Sequence, residues 1–491
     1  MTIVSYDPKT AAANGVVPES SREDVRRAVA RATAAAAKVA DASPSERSAW
    51  LHAVADALES DLEALTALAD SETGLGPERL RGEVLRTAGQ LRFYGQVAAE
   101  GSYLGVTIDP AARLVRLNRP LGPVAVFGAS NFPFAFGTLG NDFASAAAAG
   151  CPVVAKSHPA HPMLAARLSE LAAEALTVAG APPGTFAAVA GHHAGTELVQ
   201  ANDIAAVAFT GSQAGGMALW RLASERAVVI PVYAEMGTVN PVLVTPSAGQ
   251  DIGAVARGFV GSFTAGAGQF CTKPGLLFAP AGTGAAVAVA AALRQAAPQP
   301  VMLTGAIADS VRRGLGELRA AGARIVALID RPGTGWTAPA AVLAAPVDAL
   351  EPGSRLLEEC FGPVAVVVEY ASTAELRSSV ARLQGALAAS VVTDGTSADP
   401  DASAFLDMLT PKVGRVVVDG RPTGVAYSWA QQHGGPWPAT SCPQATSVGA
   451  AALDRFVRPV AYQSVPDQWL PPAAQPGNPW QIPHRTVGDL P

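Results

Sequence analysis

From Arg113 onward, short continuous apolar runs alternate with longer amphipathic ones, and this alternation leaves very few folds open to the chain. Pro123–Phe127, Pro152–Lys156, Phe186–Ala190, Ala205–Phe209 and Val228–Tyr233 read as strands, with helices expected between them at Phe134–Ala149, closed by Gly150, and Met163–Ala179, closed by Gly180. A strand that is apolar at every position has to be covered on both faces, which means a parallel sheet sandwiched by helices. That is the α/β, doubly wound architecture of nucleotide-binding domains. A second α/β series runs from Pro241 to about Val457, with strands near Val242–Val244 and Val364–Val368. Arg113–Asn118 alternates in character and reads as a separate strand.

Before Gly101 the pattern is helical. Ser21 with Asp24 forms a capping-box pattern ahead of an alanine-rich helix reaching about Ala40, and Ser43-Pro44-Ser45-Glu46 is a stronger start signal. Gly74 and Gly76 break the run, and Pro77 opens a further helix to about Ala99. After Pro459 the chain is rich in proline and tryptophan without helical period. It is expected to form an extended arm, packed on a neighbouring subunit or partly disordered. With 49% hydrophobic residues and a net charge of -6, the chain has apolar material for a large core and no basic footprint, so nucleic acid is not expected as a partner. Cys151, Cys271, Cys360 and Cys442 are far apart, with no CxxC pair, which fits a reducing compartment. Neither a signal peptide nor a membrane span is recognised, so a soluble, cytoplasmic protein is expected.

Four segments carry candidate chemistry. Cys271 follows Gly268-Gln269-Phe270, and glycines there would let backbone approach a reacting centre; alone, such a cysteine is more often a small buried hydrophobe. Glu235 follows an apolar strand, where a carboxylate either faces a site or forms a salt bridge at the strand end. Asn131 follows another strand and could equally cap a turn. Gly211, Ser212 and Gly216 lie between a strand and a helix, where glycines let a pyrophosphate reach the helix N-terminus, although the spacing is not GxGxxG. His192 and His193 have no carboxylate or cysteine at ligand spacing, so a loop is expected there and no metal site.

In order and spacing these segments resemble the aldehyde dehydrogenase superfamily: Glu235 precedes Cys271 by 36 residues and follows Asn131 by 104. Glu358 to Pro363 and Lys156 extend the match, which spans about Ser20 to Gln463. Leu121 to Pro133, Lys156 to Pro162, Pro422 to Val425 and His433 to Thr440 look like the 2,5-dioxopentanoate (α-ketoglutaric semialdehyde) dehydrogenase branch, to which NADP-dependent long-chain aldehyde dehydrogenases are similar. The resemblance implies two doubly wound α/β domains and a small oligomerisation arm: 1–101 with 120–237 for the cofactor, 238–457 for catalysis, and 102–119 with 458–491 as arm and tail. A homodimer or homotetramer is implied. The implied reaction oxidises an aldehyde to a carboxylate. The Cys271 thiolate adds to the carbonyl, the Asn131 amide and the Cys271 N–H hold the oxyanion, hydride passes to nicotinamide, and Glu235 activates water against the thioester. Lys273 is expected either to lower the Cys271 pKa or to be a solvated surface residue.

For the cofactor, the resemblance implies Glu359 and Phe361 at the nicotinamide ribose and ring. Lys156, Gly211, Ser212, Gly216 and Ser130 would lie along the rest of the dinucleotide. Many NAD-preferring members carry an acid three residues after that lysine, where it would repel a 2′-phosphate. Pro159 stands there, so NADP is expected, with NAD possible, and His158 or Lys156 would meet the phosphate. The pattern departs from the superfamily at Ser130 (usually tryptophan) and Gly140 (often lysine), and from the branch at Asp419 and Trp437. Arg79, Glu83, Arg86 and Gln90 share one helix face. Arg86 is expected either to bind the distal carboxylate of an acidic semialdehyde or to belong to an exposed salt-bridged face with Glu83. Phe132, Leu139, Phe270 and Trp437 would distinguish an acidic semialdehyde from a long-chain or aromatic one. A catalytically silent relative is the reading from another class.

Overall fold

The computed structural model describes residues 1–396 and 398–488. A five-stranded, wholly parallel sheet is ordered Phe186–Val189, Val153–Lys156, Val124–Phe127, Ala206–Gly211, Val232–Met236. A seven-stranded sheet follows in the order Arg324–Ile329, Ala340–Ala344, Val364–Tyr370, Leu276–Pro280, Pro241–Val244, Ala386–Val392, Val413–Val418. It is parallel except for Arg324–Ile329 at one edge.

The continuous apolar runs have the expected cause. Val124 and Val126 join the core shared with the N-terminal helices, while Ala125 and Phe127 join a second core on the opposite face. Leu276 and Phe278 likewise face one core of the larger sheet, and Leu277 and Ala279 the other. These central strands are buried on both sides, so polar alternation is absent from them. In the five-stranded sheet the order reverses between Val124–Phe127 and Ala206–Gly211. That switch point opens a crevice beyond the carboxyl ends of the strands, where open α/β sheets bind ligands.

Both predicted capping boxes are present, at Ser21 with Asp24 and at Ser43 with Glu46. The Pro77–Glu100 helix starts at its proline and ends on Gly101 in the left-handed region. Other expectations need correction. The helix expected from Phe134 begins only at Asn141. Glu83 is the reason: its buried carboxylate accepts the amides of Phe134 and Ala135 at 3.0 Å each, holding that segment in turns. The strand expected at Val228 starts at Val232, and Val228 and Val229 are exposed. A Thr2–Tyr6 and Ala13–Pro18 hairpin precedes the helices; the Asp7 carboxylate accepts from Lys9 N and Thr10 Oγ1 in its turn. His192 and His193 are exposed in the first turn of a helix rather than in a loop.

The C-terminal arm is neither disordered nor free over its described part. Val457–Gln463, Leu114–Pro120, Val106–Asp109 and His484–Thr486 form a four-stranded sheet, so the tail pairs with its own chain. Leu470, Ala473, Ala474 and Ile482 are buried in the core beside the N-terminal helices. The last three residues of the arm lie outside the described residues.

Candidate active site

Asn131, Glu235 and Cys271 leave different elements and converge. The Asn131 Nδ2 donates to the Gln269 carbonyl at 2.7 Å, which ties the turn after Val124–Phe127 to the cysteine loop. This contact spans 138 residues and replaces the local capping role. Cys271 is held from below by Asn240, whose amide donates to the carbonyls of Cys271 at 2.8 Å and Lys273 at 3.1 Å. Gly268 lies at φ +70°, and a Cβ there would collide with the Gly362 backbone, so the loop needs glycine at that point.

Glu235 lies near the end of Val232–Met236 and is buried. It accepts a hydrogen bond from the Ser447 hydroxyl. Its Oε1 is 3.1 Å from His433 Nε2, and that nitrogen is 3.8 Å from Cys271 Sγ. The reacting atoms of Glu235, His433 and Cys271 all fall within 4.8 Å of one another. A soft cation could fit this spacing, but it would tie up the thiolate. Burial, and then the charges of Glu235 and Glu359, push the Cys271 thiol well above its ordinary range. Burial works to raise Glu235 too, but the His433 imidazole and the Ser447 hydroxyl outweigh it and hold the carboxyl low. Cys271 therefore rests as a thiol with a proton acceptor beside it, the arrangement of an activated nucleophile.

Behind this group lies a cavity of about 20 Å³, lined by Glu235, His433, Thr440, Thr446, Ser447 and Arg455 among others, large enough for about one water. Arg455 pairs there with Asp142 at 2.9 Å. Asn141 donates to the Ser447 carbonyl and accepts from Tyr94 Oη at 2.6 Å. In front, Phe132 and Phe270 have ring centroids 5.2 Å apart, and the Arg79 guanidinium lies over both faces at 5.2 and 5.0 Å. Arg79 also donates to the Asn131 carbonyl at 2.7 Å.

Arg86 is half-buried and donates to the Val425 carbonyl at 2.6 Å. The exposed salt-bridged face is excluded, because Glu83 and Gln90 are buried and Glu83 is engaged with backbone amides. Lys273 fits neither expectation. It is buried, and its ammonium donates to the carbonyls of Cys360 at 3.0 Å and Val364 at 2.8 Å, away from the thiol. Leu139 is core, and Trp437 is 52% exposed, so only Phe132 and Phe270 of the four discriminating residues face the site. Asp419 accepts from Thr393 N and Oγ1 at 2.7 Å each and shapes a turn.

The switch-point crevice fits a dinucleotide. Ser212 caps the Gln213–Ser224 helix, its Oγ accepting from Gly215 N at 3.1 Å. Gly211 sits over the Phe209 ring, while a Cβ on Gly216 would lie 2.7 Å from Met236 Sδ, so glycine there lets the helix pack closely on the sheet. Lys156 ends its strand, and burial lowers its pKa. His158 Nδ1 accepts from Ala160 N at 3.1 Å, and burial followed by the charges of His161 and Lys156 pushes its pKa well down, so the ring is neutral. Ser130 is half-buried beside Asn131, and Phe361 is half-buried. Glu359 lies so close to Gly237 that a side chain there would clash. Its Oε1 is shut away from solvent without a partner, an acceptor suited to a ribose hydroxyl.

His433, Ser447 and Asn240 were not singled out from the sequence, although His433 stands in the His433 to Thr440 segment that carries the resemblance. A histidine before two glycines has no local signature; only the fold brings it to Cys271.

Residues 1–436 match the family described as aldehyde dehydrogenase family. The chain is 42% identical over 457 residues to alpha-ketoglutaric semialdehyde dehydrogenase 2 of Azospirillum brasilense, covering 90% of this chain and 87% of that protein. It is 38% identical over 487 residues to alpha-ketoglutaric semialdehyde dehydrogenase of Acinetobacter baylyi, covering 96% and 92%. Among solved structures, 1-pyrroline-5-carboxylate dehydrogenase from Thermus with bound NAD matches with a TM-score of 0.80 at 22% identity, over 94% of this chain and 90% of that one. Lactaldehyde dehydrogenase matches with a TM-score of 0.81 at 21% identity, over 94% and 96%. At such identities the structures show the shared fold.

Proposed function

This chain belongs to the aldehyde dehydrogenase family, and we propose that it oxidises 2,5-dioxopentanoate (α-ketoglutaric semialdehyde) to 2-oxoglutarate, with NADP as its nicotinamide cofactor. The observation that carries the substrate is Arg86. Its Nε is buried without a partner, and its guanidinium lies close enough to Cys271 to feel the thiolate charge. A half-buried guanidinium that keeps donors unspent near the nucleophile suits an aldehyde with a carboxylate at its far end. The two curated relatives above carry the name of that aldehyde.

The side chains define the steps. His433, whose Nε2 lies 3.8 Å from Sγ, takes the Cys271 proton as the sulfur adds to the aldehyde carbonyl. The Asn131 amide and the Cys271 N–H hold the oxyanion of the thiohemiacetal, and Arg79 fixes the Asn131 turn. The nicotinamide, when bound, supplies the hydride acceptor that leaves a thioester on Cys271. Glu235, held below its ordinary pKa, then draws a proton from water attacking that thioester. A base for water favours hydrolysis over transfer to coenzyme A. Glu359 and Phe361 would hold the nicotinamide end, with Ser212 and Gly211 at the pyrophosphate and Lys156 at the adenosine ribose. Neutral His158 would offer a hydrogen bond, and Lys156 the charge, to a 2′-phosphate.

Residues 1–101 with 120–237 form the cofactor domain in this reading, 238–457 the catalytic domain, and 102–119 with 458–491 the arm of a homodimer or homotetramer. None of the described helices is long and apolar enough to cross a membrane, and the absence of disulfides among the four cysteines fits a cytoplasmic enzyme. The deciding experiment assays 2,5-dioxopentanoate, hexanal and benzaldehyde with NAD and NADP at 340 nm, alongside Arg86→Ala. A tenfold or greater rise in KM for 2,5-dioxopentanoate in the variant is expected, of the order of about 1.4 kcal/mol. An unchanged KM for the acidic aldehyde would remove Arg86 from the site.

A further inference from the structure

A second arginine mirrors Arg86 and has no part in the scheme so far. Arg415 lies on Val413–Val418, the edge strand of the seven-stranded sheet, and donates through Nη2 to the Pro422 carbonyl at 2.6 Å. Arg86 makes the same bond, at the same length, to the Val425 carbonyl at the other end of that short loop. Both guanidiniums are half-buried, and both have a buried Nε without a partner. The loop forms a wall of the site. Val425 packs with Phe132 and Phe136, and Thr423 Oγ1 lies 3.0 Å from Ser262 Oγ on the helix that leads to the Cys271 loop. Phe132 in turn packs at a tilt against Phe270, the neighbour of Cys271. Burial lowers the pKa of both guanidiniums, and a thiolate at Cys271 would raise both, so both lie within electrostatic reach of the sulfur.

One arginine suffices for a lone carboxylate. Two on either side of one backbone strip present more parallel N–H donors than a carboxylate can accept. A 2-oxo acid adds a third acceptor in the same plane, and an arginine fork matches such planar sets. We propose that Arg415 is a specificity-determining residue, which with Arg86 clamps the 2-oxo-carboxylate end of the substrate across the Pro422–Val425 backbone. This rests on the acidic-semialdehyde reading above and says which end group that reading selects.

The test compares kcat/KM for 2,5-dioxopentanoate and for pentanal in the wild-type enzyme, Arg415→Met and Arg415→Lys, at saturating cofactor. Inhibition by 2-oxopentanoate and by pentanoate is measured in the same proteins. In Arg415→Met the acidic-to-neutral ratio of kcat/KM should fall about 10- to 100-fold, through KM, and Arg415→Lys should recover part of it. Inhibition by 2-oxopentanoate should weaken more than inhibition by pentanoate. If both aldehydes lose equally, Arg415 only tethers the loop, and the proposal fails. If the wild-type ratio persists in both variants, Arg415 does not read the substrate, and Arg86 stands alone. If the wild-type enzyme itself shows no preference for 2,5-dioxopentanoate over pentanal, the substrate reading falls and takes the clamp with it.

Discussion

The two sides of Cys271 are built on opposite plans. Behind it, Glu235, His433, Ser447, Asn141, Asp142 and Arg455 form a buried polar network in which most groups hold one another. In front, Phe132, Phe270, Arg79 and Arg86 surround the approach, and the arginines keep donors to spare. A preorganised network behind the sulfur can move protons without reorganising, whereas unspent donors in front await a partner from outside. The rear should set the rate and the front the choice of aldehyde.

The rear gives the largest expected effects. Glu235→Gln should lower steady-state turnover by about 10²–10⁴ while leaving a first-turnover burst of reduced cofactor, because His433 remains beside Cys271. His433→Phe should do the reverse and slow the burst itself. Stopped-flow absorbance at 340 nm separates the two. Equal loss of the burst in both variants would merge Glu235 and His433 into one base and break the division of labour. Next comes Asn131→Ala, expected to cost about 10²–10³ in kcat with little change in cofactor affinity. A change mainly in KM would move Asn131 to the front side.

Much of this was legible beforehand. The sheet pattern was, because strands buried on both faces carry no polar residues to confuse them. Cys271, Glu235 and Asn131 were placed by their register with one another, and the structure brings them together. What failed has a common physical cause, namely long-range polar contacts that override local pattern. Glu83 delays a helix by capturing two amides from another element. Lys273 reads equally as a neighbour that lowers the Cys271 pKa or as a surface lysine, and the carbonyls of Cys360 and Val364 around it exclude both. His433 and Arg415 sit in glycine-rich or apolar text that gives no hint of what they face. The C-terminal arm lacks any period because it is held by two strand pairings and a few buried side chains.

Glu359, in the cofactor crevice, combines the two plans: its Oε1 is buried yet has no partner. Burial, only partly offset by Lys273 and Arg355, pushes its carboxyl from 4.5 up to about 7. The sign follows from that direction. A carboxyl whose pKa is raised by folding binds its proton more tightly in the folded state, so stability is greatest below about pH 4.5 and is lost as pH rises through about 7. By pH 8 the buried charge costs up to about 3 kcal/mol. Glu359→Gln should therefore raise Tm at pH 8, with the gain vanishing towards pH 4.5, as scanning calorimetry of the cofactor-free protein would show. The same change should weaken nicotinamide cofactor binding by about tenfold or more, because an ionised acceptor is lost. It should also flatten the rise in affinity that the wild-type enzyme shows as pH passes through about 7. Higher Tm with weaker binding would mark Glu359 as an acceptor kept for the cofactor at the expense of stability. Lower Tm with unchanged binding would make it a structural acid held by the nearby Lys273 and Arg355 charges, with no part in cofactor binding.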